Sequence, residues 1–157
     1  ANIASAAAGG ADGVVFGVIT ENGLIDEKCL LRLIQKSQSK GVSTTFHRAF
    51  DVLEDRFEGL EMLIDYGVDR ILTSGVAWGC SRGALEGKET LKALVEAADG
   101  RIEIVIGGSV SPGNAKEIVS SLGQLSGPVS LHAHSGVQEN GVTAKSKVRA
   151  LIEAANH

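Results

Sequence analysis

Five short apolar runs begin near residues 13, 43, 70, 102 and 128, and each leads into a stretch with apolar residues at helical spacing. The interval is about thirty residues, the length of one βα unit. Strict alternation of strand and helix implies a parallel sheet joined by right-handed crossovers. The first run, Gly13 to Thr20, is almost unbroken in its apolar character, as suits a parallel strand covered on both faces. The helical faces follow as Cys29, Leu30, Leu33 and Ile34, then Leu60, Leu63 and Ile64, then Leu91, Leu94 and Val95. Ile118, Val119 and Leu122 supply the fourth, and Val148, Leu151 and Ile152 the fifth. Asp26 has the position of an N-cap, and Asp51-Val-Leu-Glu54 has the spacing of a capping box. Ser111-Pro112 suits a helix start, with proline in the first turn.

Five such units fit two architectures. One is an open, flavodoxin-like five-stranded sheet, complete at this length. The other is a partial TIM-type barrel, which would leave two unpaired sheet edges for association between chains. Periodicity alone favours the open sheet. Either way, residues 1–157 read as a single α/β domain, with 43% hydrophobic and 22% charged residues. Ala1 to Gly10 resembles the end of a helix with a glycine stop, so further chain is expected to precede it.

The net charge is −4, with acids and bases interleaved, which gives neither nucleic acid nor an anionic membrane a basic patch to bind. The apolar runs are strand-sized, too short for a membrane span. Cys29 and Cys80 form no CxxC pair or disulfide framework, so a reducing, cytoplasmic setting is expected.

Parallel α/β folds bind ligands at the carboxyl ends of their strands. In this chain those ends bear Thr20-Glu21, then His47, Arg48 and Asp51, then Ser74-Gly75, Gly107-Gly108-Ser109, and His132 with His134. A strand that finishes in three ionisable groups must pair them or use them, because desolvating them is costly. His47 suits general acid–base work and Arg48 an electrostatic anchor, and Asp51 is counted with them as a candidate catalytic residue, its capping role also open. Ser74, Gly75, Gly107, Gly108 and Ser109 suit an anion such as phosphate or carboxylate, since small residues let backbone amides approach it. His132 and His134 lie two apart on a strand and so share a face. With His47 they offer three imidazoles for copper or zinc. Cys29 lies on an apolar helix face, and Cys80 lies in the loop string Ala77-Trp78-Gly79-Cys80-Ser81. His157 is terminal.

Four strings occur in order: Gly10-Ala-Asp-Gly-Val-Val-Phe-Gly-Val18, Thr45-Phe-His-Arg-Ala-Phe-Asp51, Leu72-Thr-Ser-Gly75 and Ala84-Leu-Glu-Gly87. Together they closely resemble the CutC copper-homeostasis family, from about Gly10 to about His132. The resemblance covers strands four to eight of that family's TIM-like barrel. It does not include the first three βα units, with their Arg-Pro-Arg-Gly-Gly motif and early cysteines. It implies a partial barrel, a link to copper tolerance and copper as partner, beside the small anionic ligand that the strand ends themselves suggest. An enzyme of TIM-barrel type acting on a phosphorylated or carboxylated small molecule is the alternative.

Overall fold

The computed structural model describes residues 3–123 and 127–156; Ala1 and His157 lie outside them. After a short helix α1 (Ile3–Ala8), five strands alternate with helices. The order is β1 (Gly13–Phe16), α2 (Glu27–Gln38), β2 (Ser43–Phe46), α3 (Arg56–Asp65), β3 (Arg70–Thr73), α4 (Lys88–Ala98), β4 (Glu103–Ile106), α5 (Ala115–Leu122) and β5 (Val129–Leu131). A small hairpin, β6 (Gln138–Glu139) with β7 (Val142–Thr143), precedes the final helix α6 (Lys145–Ala155).

All five strands pair in parallel, in the spatial order β1-β2-β3-β4-β5. A flavodoxin-like sheet reverses direction at a switch point, so its strand order is not sequential. The sequential order found here is that of a singly wound, barrel-type repeat, with the sheet left open between β1 and β5. The spacing of strands and helices is the same in both architectures, so periodicity pointed to the wrong one.

Winding in one direction places the helices on one face. In β2, β3 and β4 burial alternates residue by residue. Phe46, Ile71, Ile104 and Ile106 are buried with Leu30, Ile34, Leu60, Leu63, Leu91, Leu94 and Ile118 of the helices. At about 25 cal/mol per Å² of apolar surface removed from water, this layer is the main stabilising element. Among the described residues no helix covers the other face: Val15 is 65% exposed, and Thr45, Leu72 and Val105 are half-buried. Its amino-terminal end bears a polar row in which Arg70 donates to Glu103 (2.8 Å) and Ser43 (3.2 Å), and Ser130 donates to Glu103 (2.7 Å).

Local rules held where a cap was alone and failed where caps competed. Asp26 caps α2 by accepting the Cys29 amide at 3.0 Å. Asp51 and Glu54 form no capping box; Asp55 caps α3 instead, accepting the Phe57 and Glu58 amides, because Asp51 is buried and held elsewhere. The fourth helix starts at Ala115 rather than at Ser111-Pro112. The Asn114 carboxamide pins the turn before it, accepting from the Ser111 amide and donating to the Ser109 carbonyl, each at 2.8 Å.

Candidate functional site at the carboxyl ends of the strands

The strand containing Phe46 stops there, four residues earlier than its apolar character suggests, and a 3-10 turn (Arg48–Val52) takes over. His47 makes the transition. Its amide donates to the Phe16 carbonyl (2.8 Å) and its Nδ1 accepts the Ala49 amide (3.0 Å). An Nδ1 that accepts a hydrogen bond holds no proton, so the neutral imidazole has its proton on Nε2. The ring lies directly over Gly17, where a Cβ would collide with Cε1 and Nδ1.

Asp51, 1% exposed, is the hub of the turn. It accepts from Arg48 Nε (2.9 Å), Ser74 Oγ (2.8 Å), the Ser74 amide and the Thr73 hydroxyl. A buried carboxylate surrounded by donors in this way serves to position its neighbours. Arg48 is held on two of its three nitrogens, Nε by Asp51 and Nη2 by Ser74 Oγ at 2.8 Å. Its guanidinium carbon lies 5.3 Å from the centre of the Trp78 ring. Among the described residues Nη1 has no partner. It lies 3.5 Å from where a Cβ on Gly108 would stand, an ordinary contact distance, whereas that Cβ would crowd the Ser74 Cβ at 2.8 Å.

Ser74, expected to face an anion, is engaged within the protein. Its hydroxyl already donates to Asp51 and accepts from Arg48, and the residue is wholly buried. Gly75 is likewise committed to packing. Its amide donates to Thr73 Oγ1, and at φ +72° a Cβ would meet the Gly87 carbonyl at 2.5 Å. Gly107 continues the sheet ladder by donating to Thr73, and a Cβ there would crowd Leu72. Gly108 and Ser109, both at positive φ, are different. Among the described residues their amides donate to no partner, and Gly108 lies against Ser74 and the Arg48 guanidinium.

Thr20 and Glu21 fall outside this rim, in a turn closed by bonds between Thr20 and Leu24. The three imidazoles are not assembled. Strand β5 ends at Leu131; His132 follows beside Gly107, while His134 leaves the extended backbone at ψ −85° and its Nε2 lies 3.1 Å from the Gln138 carboxamide. His47 could ligate through Nε2 only with its proton on Nδ1, where the Ala49 amide already donates. Among the described residues no three His, Cys, Asp or Glu side chains are grouped to hold a metal ion. Copper(I) favours thiolates, yet Cys29 is half-buried on α2 and Cys80 is exposed in the loop after β3. The side chains described do not by themselves make a copper centre.

A cavity of about 490 Å³ adjoins Arg48, with Ile19, His47, Val52, Leu72 and Trp78 in its walls. Sequence reasoning gave Gly17, Thr73 and Trp78 no role. The signals available were a glycine just past a strand, the threonine of the Leu-Thr-Ser-Gly string, and the chain's one tryptophan in an otherwise small and polar loop.

The CutC family model matches residues 1–136. A protein of Histophilus somni named as a CutC family protein is 51% identical over 110 residues, covering 70% of this chain and 43% of that protein. A human protein named copper homeostasis protein cutC homolog is 41% identical over 114 residues, covering 73% of this chain and 40% of that one. The chain thus matches less than half the length of either relative. The crystal structure of the putative copper homeostasis protein CutC from Streptococcus agalactiae superposes with a TM-score of 0.71 at 33% identity, covering 82% of this chain and 60% of that one. Motifs, barrel-type strand order and these likenesses agree: the chain belongs to the CutC family.

Proposed function

We infer that this chain, within a CutC-type copper homeostasis protein, binds a small anionic ligand at the carboxyl ends of its strands. One observation supports this above the others. A buried carboxylate and a serine fix the Arg48 guanidinium so that Nη1, without a partner among the described residues, stands 3.5 Å from where a Cβ on Gly108 would lie, in a turn whose Gly108 and Ser109 amides donate to no described partner. A preorganised donor set of this kind suits a carboxylate or phosphate oxygen. His47 lines the adjoining cavity as an Nε2–H donor and could polarise or protonate a bound group. That makes a TIM-barrel type of enzyme reaction the natural extension, with His47 as acid and Arg48 as anchor. Calorimetric titration with acetate and with inorganic phosphate tests the site: saturable binding that is lost in Arg48→Gln supports it, and binding indifferent to that change removes it.

A second reading, direct copper binding, is favoured by the copper homeostasis names of the relatives. On this chain it would rest on His132 and His134, two exposed imidazoles short of a full ligand set. Stoichiometric Cu(I) retention that disappears in His132→Ala would establish it.

A further inference from the structure

The cavity beside Arg48 says what kind of anion fits. Of the six lining residues named above, four are apolar or aromatic: Ile19, Val52, Leu72 and Trp78. Val52 and Trp78 are 40% and 60% exposed, so a large apolar surface at the mouth stands in contact with water. A volume of about 490 Å³ is within the range for small-molecule sites.

The charge balance is equally specific. Among the described residues Arg48 is the one formally charged residue lining the cavity, and it is already compensated by buried Asp51 at 2.9 Å. His47 adds no cation while its Nδ1 accepts the Ala49 amide. A phosphate dianion would bring two negative charges into a cavity whose cation is already paired, at a large desolvation cost. A carboxylate brings one charge, which the Arg48 guanidinium in the cavity wall can meet through Nη1, the nitrogen that Asp51 and Ser74 leave without a partner among the described residues.

We propose that the ligand is a monocarboxylate with an apolar or aromatic body, its carboxylate on Arg48 Nη1 and its body against Trp78, Val52, Leu72 and Ile19. This deepens the anion-site reading and rests on it. His47 lines the same cavity, and its Nε2–H would donate to a polar substituent near the carboxylate.

Trp78 is the chain's single tryptophan, so its emission reports on this cavity alone. Titration with phenylacetate is expected to change that emission saturably. Phenylacetamide, which lacks the charge, and acetate, which lacks the body, should each bind at least about tenfold more weakly. Inorganic phosphate should fail to displace phenylacetate. By calorimetry, Trp78→Ala should lower phenylacetate affinity about tenfold with an unchanged circular dichroism spectrum. Tight phosphate binding that shifts the Gly108 and Ser109 amides, with none for phenylacetate, would overturn the ligand class and leave the anion site standing. Absence of binding by every anion would overturn both. Equal affinity for phenylacetate and phenylacetamide, or no effect of Trp78→Ala, would also overturn the proposal.

Discussion

Asp51 Oδ2 holds Arg48 Nε at 2.9 Å from three residues along the same 3-10 turn, and Ser74, on the neighbouring unit, bridges the two by accepting from Arg48 and donating to Asp51. The pair is asymmetric: the carboxylate is fully buried, whereas the Arg48 side chain is 31% exposed. Removing the carboxylate's charge therefore strands donors that have no other acceptor. Asp51→Asn is expected to cost about 2–4 kcal/mol in urea unfolding, discounted for the partial exposure of Arg48. A change below about 0.5 kcal/mol, the range of an ordinary surface substitution, would show that the hub is dispensable.

Gly17 is required by His47. Any side chain at position 17 meets the imidazole and the Ala49 methyl group. Gly17→Ala should cost about 1–3 kcal/mol, as overpacking does, and turn the ring away from the Ala49 amide. The long-range 15N pattern of His47 checks this: an Nε2–H tautomer in the parent and loss of that pattern in the variant. An Nδ1–H tautomer in the parent would contradict the described role of His47.

The loop beside Gly108 should respond to acid. The Gly83 amide donates to Glu86 at 2.8 Å, and this bond, helped by Glu86's own amide and the Arg82 charge, holds the Glu86 carboxyl below the usual carboxylate range. A depressed carboxyl contributes order above its unfolded pKa and loses it as pH falls through the lower folded value. The Gly83 amide shift should therefore stay constant from neutral pH into mild acid and move only below the usual carboxylate range. Glu86→Gln should abolish that step; a step that persists would place its origin elsewhere.

The winding of the chain was not legible for a physical reason. Helix and strand periods record which residues face a core, and both parallel architectures bury the same alternation. What separates them is which neighbour each strand takes. That depends on contacts such as Thr44 with Asp69, where one carboxylate oxygen accepts both the amide and the hydroxyl of Thr44 and so ties the start of β2 to the turn before β3. Residue types at the strand ends were readable, and Arg48 does meet the Gly108 turn. The saturation of Ser74 was not, since it depends on a carboxylate 23 positions away. For the histidine pair the sequence argument lacks its premise: β5 ends at Leu131, before either residue, so the shared-face rule for strands does not apply.

Among the described residues, strands β1 and β5 each pair on one side only. Unpaired parallel edges, with Val15 exposed on the uncovered face, favour association between chains. Light scattering should find a mass that is a multiple of the monomer, and Val15→Lys should shift it toward monomer. A parent chain that stays monomeric at high concentration would refute this.

The central claim is that Arg48 Nη1 and the amides of Gly108 and Ser109 form one anion site. Amide proton–nitrogen correlation spectra recorded during titration with a small carboxylate test it most directly. The account predicts saturable shifts at Gly108 and Ser109 with a common midpoint, abolished in Arg48→Gln. Shifts confined to other residues, or unchanged in that variant, would contradict it.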